Sequence, residues 1–130
     1  MVSIEPYAAL GVWDPPAYAQ AVKVTGAHMT LYISGQVAYD DKGQPAHPGE
    51  FKAQARAVFQ ALKAQVEAGG GTLANLVKTV TYLTDARYIP EYREVRGEFF
   101  GTKGPVGTLL IVAGLYSPLC LIEIEATAEL

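Results

Sequence analysis

Residues 51–66 read FKAQARAVFQALKAQV, and residues 76–83 read LVKTVTYL. In the first stretch, apolar residues recur at helical spacing on one face, at Phe51, Ala55, Val58, Phe59, Leu62 and Val66. The opposite face carries Arg56, Gln60, Lys63 and Glu67. The second stretch is rich in β-branched residues and predicts a strand. Gly69-Gly70-Gly71 between them is suited to end the helix, because glycine adopts left-handed backbone conformations.

The rest of the chain adds four predicted strands and a second helix. The strands are Val22–Thr25 and Met29–Val37, joined at Gly26-Ala27-His28, and later Val106–Val112 and Leu121–Glu129. The second helix begins near Pro90 and ends at about Phe100. The order β-β-α-β-α-β-β predicts an α+β fold, with both helices on one face of the sheet. No linker or repeat divides the chain, so residues 1–130 are expected to form a single domain.

Composition excludes several classes of protein. Half of the 130 residues are hydrophobic and 18% are charged, which excludes wholesale disorder. The net charge is −3 and the ten Lys and Arg residues are scattered, so no nucleic-acid partner is expected. Apolar runs are too short to span a bilayer and no signal peptide is evident, so we expect a cytoplasmic protein without a membrane partner. The high apolar fraction indicates that another subunit covers part of the surface.

Metal and thiol chemistry find little support in the sequence. The two histidines, His28 and His47, have no carboxylate or cysteine at ligand spacing, so no metal is expected. Cys120 is the only cysteine, which excludes an intrachain disulfide. It has no evident activating partner and is expected to be a small buried residue.

The last predicted strand places four polar side chains on one face. Strict alternation puts Glu123, Glu125, Thr127 and Glu129 opposite the isoleucines and alanines. For Glu125 and Glu129 a solvated face is the simpler interpretation. A carboxylate beside an apolar strand can also serve as a general base, and Glu123 is the candidate catalytic residue.

Two arginines lie in or beside the apolar face of the second helix. Arg96 falls among Ile89, Tyr92, Val95 and Phe99, and Arg93 lies at the edge of that face. Two interpretations of Arg96 are open. Its guanidinium either extends to solvent at the rim of this apolar face, or binds an anion at an interface between subunits.

Four stretches together resemble the Rid family, also known as YjgF/YER057c/UK114. They are Tyr18-Ala-Gln-Ala-Val, Tyr32-Ile-Ser-Gly-Gln-Val, the run from Gln54-Ala-Arg-Ala-Val to Val77-Lys-Thr-Val-Thr-Tyr-Leu-Thr-Asp, and Ile122-Glu-Ile-Glu-Ala. The resemblance covers about residues 18–128. It implies a chorismate-mutase-like fold assembled as a homotrimer, with clefts between subunits that bind small carboxylic acids. It also implies hydrolysis of reactive imines and enamines, such as 2-aminoacrylate, to a keto acid and ammonia without a metal or cofactor.

The resemblance also implies roles for individual residues. Glu123 matches a glutamate that positions or deprotonates water, and Tyr18 matches the tyrosine of the N-terminal motif. Ser34 and Gly35, followed by Gln36, match the strand that walls the cleft.

One expected residue is replaced. Where the family has Pro-x-Arg-Ser/Thr, this chain has Pro105-Val106-Gly107-Thr108, so glycine stands in place of the arginine that holds the substrate carboxylate. Gly107, Thr108 and Leu109 are therefore assigned to the substrate site, with Leu109 and Ile111 on the face of Gly107. Losing a bidentate contact of this kind typically costs at least ~10²-fold in rate. We therefore expect weak deamination of 2-aminoacrylate, and a larger or less anionic ligand.

Arg93 stands where the family often has an asparagine close to the cleft. It either restores an anion-binding charge from another direction, or is a surface arginine paired with Glu94, Glu98 or a neighbouring subunit.

Three functions follow in order of preference. The first is a Rid-like hydrolase of imines, enamines or related small C–N compounds. The second is a non-catalytic trimer that binds a metabolite in the same clefts. The third is a ribonuclease, which the acidic composition and the lack of paired histidines disfavour.

Overall fold

The computed structural model describes all residues from Met1 to Leu130. It contains six strands and two α-helices, with short 3₁₀ turns at Leu73–Asn75 and Ala86–Tyr88. In chain order these are β1 (Ser3–Tyr7), β2 (Ala21–Thr25), β3 (Thr30–Gln36), α1 (Phe51–Ala68), β4 (Leu76–Leu83), α2 (Ile89–Phe100), β5 (Val106–Ile111) and β6 (Ile122–Glu129).

Helix α1 confirms the predicted apolar face. Its buried residues include all six of the apolar positions, and Gln54 is buried beside them. The helix ends at Ala68, Gly69 is its C-cap, and Gly70 takes the left-handed conformation with φ 96°. Neither α-helix has the length and hydrophobicity that a transmembrane span requires.

The main sheet has four strands in the order β3-β6-β4-β5. Strand β6 is antiparallel to both β3 and β4, whereas β4 and β5 are parallel and are joined through α2. A bulge between Ile33 and Gln36 shifts the register of β3 at Ser34 and Gly35. The α+β fold, with two helices on a mixed sheet, is as predicted.

The N-terminal part of the fold contains one strand, β1, beyond those predicted. Strands β2 and β3 are not paired with each other. Instead, β2 pairs with β1 in a separate two-stranded antiparallel sheet. The sequence pattern does not predict β1, because this short segment contains Pro6, which cannot donate a backbone hydrogen bond and is confined to sheet edges.

The helices cover one face of the main sheet and leave the other open. The covered face contributes Ile122, Ile124 and Leu83 to the core, each fully buried. On the open face the side chain of Tyr32 is 84% exposed. The edge strand β5 also exposes three consecutive apolar residues, Leu109, Leu110 and Ile111.

Candidate functional site

A cavity of about 330 Å³ lies between α2, the start of β5 and the segment around Tyr18. This volume is at the lower end of the range found for small-molecule sites. The predicted site residues that line it are Tyr18, Arg93, Gly107, Thr108 and Leu109. The other lining residues are Ala17, Thr79, Ile89, Tyr92, Arg96, Gly97 and Gly101.

The remaining predicted site residues, Ser34, Gly35 and Glu123, do not line this cavity. Strand register explains the separation. Gly107 is paired with Thr79, which is buried on the helix side of the sheet, whereas Glu123 is paired with Tyr82 on the open side. Within one chain, therefore, the cavity and the candidate base lie on opposite faces of the sheet.

Arg93 supplies an unpaired positive charge at the cavity. Its two acidic neighbours on α2 are engaged elsewhere, since Glu94 pairs with Lys52 at 2.7 Å and Glu98 pairs with Arg56 at 2.8 Å. Arg93 forms no ion pair within the chain, and no carboxylate lines the cavity. The interpretation that Arg93 pairs with Glu94 or Glu98 is therefore wrong for the chain itself.

Arg96 is a buried part of the cavity wall. Only 9% of the residue is exposed, and its guanidinium donates to the carbonyl oxygens of Ala17 at 2.9 Å and Pro105 at 3.4 Å. It also lies near the rings of Tyr18 and Phe100, 5.9 and 5.4 Å from their centroids. The guanidinium thus does not extend to the rim. It links the segment before Tyr18 to the start of β5.

Further contacts hold the segment from Asp14 to Tyr18 in place. Tyr18 forms an isolated parallel bridge with Gly104. The backbone N–H of Lys103 donates to the carbonyl of Pro16 at 2.8 Å, and the Lys103 ammonium pairs with Asp14. Tyr18 is consequently held at the cavity by backbone pairing as well as by Arg96.

The floor of the cavity is formed where Gly107 adjoins Thr79. A β-carbon at position 107 would lie 3.1 Å from Thr79 Oγ1, so the absence of a side chain leaves that hydroxyl uncovered. Sequence reasoning missed Thr79, because a threonine in a strand is ordinary and carries no signal of its own.

Glu123 lies in a second, partly buried environment on the open face. Its carboxylate group lies over Gly35, with the Glu123 Cδ 2.7 Å from where a β-carbon at 35 would be. Burial raises the pKa of Glu123, and repulsion from Glu125 raises it further. Glu125 in turn accepts a 2.6 Å hydrogen bond from Tyr82. Ser34, in the β3 bulge beside Gly35, is exposed.

The single cysteine, Cys120, is buried. Cys120 is 2% exposed, as expected of a small buried residue, and burial raises the pKa of its thiol. No three His, Cys, Asp or Glu side chains come together in a group that could hold a metal ion.

Known proteins have similar sequences and a similar fold. Residues 14–130 match the family model described as Endoribonuclease L-PSP. A RutC family protein of Pyrococcus horikoshii is 37% identical over 111 residues, covering 85% of each chain.

Solved structures agree with this result. A Rid family protein of unknown function from Yersinia pestis superimposes with a TM-score of 0.85 at 26% identity, covering 98% of each chain. RidA from an Antarctic Psychrobacter is 36% identical with a TM-score of 0.72, covering 97% of this chain and 94% of that one. Together with the Tyr18, Ser34-Gly35-Gln36 and Ile122-Glu123-Ile124-Glu125 motifs, these matches establish that the chain belongs to the Rid (YjgF/YER057c/UK114) family.

Proposed function

We propose that the protein is a trimeric hydrolase of small imines or enamines that carry a carboxylate, acting in cavities that a neighbouring subunit completes. The observation that carries the proposal is the free guanidinium of Arg93 at a cavity that contains no acidic side chain. A carboxylate entering this cavity meets a positive charge that no group of the chain neutralises.

Arg93 takes the place of the arginine that the family has at position 107. The rest of the cavity wall is largely apolar, with Ile89, Tyr92 and Leu109 among the lining residues. Such a wall suits the hydrocarbon part of a substrate, while Arg93 orients its carboxylate end. For this reason the preferred substrate is bulkier than 2-aminoacrylate.

Glu123 of the neighbouring subunit supplies the base. As a water oxygen bonds to the imine carbon, the Glu123 carboxylate accepts the water proton and passes it to the nitrogen. The second proton of that water then moves to the nitrogen by the same route, the C–N bond breaks with its electron pair on nitrogen, and a keto acid and ammonia leave. Burial raises the pKa of the Glu123 carboxyl, which makes its carboxylate a stronger base for accepting the water proton than an exposed glutamate.

The uncovered surfaces of the chain support the trimer. The open sheet face carries Tyr32, and the edge strand β5 exposes Leu109, Leu110 and Ile111. Exposed apolar edges of this kind are rare in monomers, because they invite pairing with other chains. A neighbouring subunit that covers them also brings its own groups to the cavity.

A metabolite-binding protein without activity is the second candidate. It is favoured by the separation of Glu123 and the cavity onto opposite faces of the sheet within one chain. If the subunits do not bring them together, the cavity binds carboxylates but has no base.

Ribonuclease activity, which the matched family model carries in its name, is the third candidate. Four of the ten Lys and Arg residues are held in ion pairs with acidic side chains, at Lys52, Arg56, Arg87 and Lys103. With a net charge of −3 as well, the composition disfavours a binding site for a phosphate backbone.

Ammonia release tests the proposal. Imino acids are generated in place by an amino-acid oxidase, and ammonia is followed with and without the protein. Faster release with the wild type, and the uncatalysed rate with Glu123→Gln, is the expected result. An uncatalysed rate with both proteins, over a range of amino-acid side chains, would leave the binding protein as the better account.

A further inference from the structure

Thr79 is a buried residue whose hydroxyl has no hydrogen-bond partner in the protein. Thr79 is only 4% exposed, yet its side chain takes part in none of the hydrogen bonds of the protein, and it lines the cavity. No buried side-chain nitrogen or oxygen is both unpartnered and sealed from solvent. The cavity is therefore where this hydroxyl meets water or a ligand.

Thr81 provides a direct comparison. It lies two residues further along β4 on the same face and is 1% exposed, but its hydroxyl is 3.1 Å from the Tyr92 hydroxyl and is satisfied within the core. The two threonines thus differ in whether the hydroxyl is already hydrogen-bonded within the protein or is free to bind a ligand. Thr81 has a protein partner, and Thr79 has none.

Gly107 is what keeps the Thr79 hydroxyl accessible. The two residues are Cα partners on the parallel strands β4 and β5, and even a single β-carbon at 107 would lie 3.1 Å from Thr79 Oγ1. A contact this short requires Thr79 to move. Any side chain at 107 would therefore cover or displace the hydroxyl.

We propose that Gly107 and Thr79 form a hydrogen-bonding subsite at the floor of the cavity, and that the ligand is a carboxylate with a second, neutral hydrogen-bonding group. This inference rests on the proposed function, because it uses the same cavity and assigns the carboxylate to Arg93. The second group is a carbonyl, hydroxyl or amide, since a threonine hydroxyl both donates and accepts. The segment between the two ends is apolar, to match Ile89, Tyr92 and Leu109.

Matched pairs of acids test the subsite. The probes are the keto acids from 4-oxopentanoate to 7-oxooctanoate, each compared by calorimetry with the analogue in which the ketone C=O is replaced by C=CH₂. The pair keeps its shape and loses only the hydrogen bond. For at least one chain length we expect the wild type to bind the keto acid about tenfold more tightly.

Three variants test whether the Thr79 hydroxyl causes the preference for the keto acid over its analogue. Thr79→Val should abolish this preference and Thr81→Val should keep it. Gly107→Ala should weaken binding of the keto acids more than binding of their analogues. Equal binding of every pair to the wild type, or a preference that persists in Thr79→Val, would overturn the subsite. If no acid binds, or if binding is unaffected by Arg93→Gln, the proposed function fails and the subsite with it.

Thermal unfolding gives a second readout that needs no ligand. Because the Thr79 hydroxyl has no protein partner, Thr79→Val should melt at or above the wild-type temperature. Thr81→Val should melt lower, since it leaves the buried Tyr92 hydroxyl unpartnered. A loss of stability in Thr79→Val equal to that in Thr81→Val would show that the hydroxyl is structural, and would also overturn the proposal.

Discussion

The carboxylate group of Glu123 lies directly over the backbone of Gly35, in space that any side chain at 35 would occupy. The conflict would be with the end of a flexible side chain, so the fold should tolerate the substitution while the carboxylate moves. We expect Gly35→Ala to unfold near the wild-type temperature and to lose most imine hydrolysis. Gly114→Ala is the control, because a β-carbon there meets nothing within 4 Å. Full activity in Gly35→Ala would show that the position of Glu123 is unimportant.

The pH dependence should report the pKa of Glu123. A base is active when ionised, so activity is lost as the pH falls through its pKa, which burial and Glu125 raise above the ordinary 4.5. Glu125→Gln removes the repulsion, so the acidic limb of kcat/KM should move to lower pH. Glu129→Gln should leave it in place, since Glu129 is bound to Thr30 and does not shift the pKa of Glu123. An acidic limb that is identical in all three proteins would argue against Glu123 as the base.

Removal of the cavity cation should weaken carboxylate binding. Hydrogen bonds to charged groups contribute roughly 1.5–3 kcal/mol, so Arg93→Gln should weaken binding of small carboxylates by about 10- to 100-fold. Stability should change little, because Arg93 is exposed and has no partner in the chain. The matched control is Arg87→Gln, which removes the same charge near the start of α2 but outside the cavity. Equal affinities of the two variants, measured by calorimetry, would return Arg93 to the role of a surface residue.

Assembly should depend on the open sheet face. Light scattering of the wild type should give three times the 13.9 kDa mass of one chain. Tyr32→Glu places a charge on this face and should lower the measured mass, whereas Tyr7→Glu, on the separate two-stranded sheet, should not. A wild-type mass of one chain would contradict the trimer.

The sequence predicts a helix or a strand well where its apolar residues recur at one regular spacing. The helical spacing of Phe51 to Val66 and the alternation of Ile122 to Glu129 both appear in the structure, because each follows from burying one face of an element. Which strands pair with each other, in contrast, cannot be read from the spacing of residues within one strand. The short segment that contains Pro6 takes β2 as its partner, and nothing in the spacing of β2 and β3 indicates that they lie in different sheets.

The site was predictable only in part for a related reason. Motif matches find residues such as Glu123 and Gly107 but not the face of the sheet on which each lies, which depends on strand register. Arg96 could be read as exposed or as a ligand-binding group, and its bonds to the carbonyls of Ala17 and Pro105 come from parts of the chain far apart in sequence. Thr79 gains its significance only from the missing side chain at Gly107.

Subunit complementation tests most directly whether Arg93 of one subunit and Glu123 of another form one active site. Chains carrying Glu123→Gln are unfolded and refolded together with chains carrying Arg93→Gln, and imine hydrolysis is compared with that of each variant refolded alone. If the site is shared, some clefts of the mixed trimers combine an intact Arg93 with an intact Glu123, so the mixture should be more active than either parent. Activity in the mixture no greater than the average of the two parents would contradict a shared site.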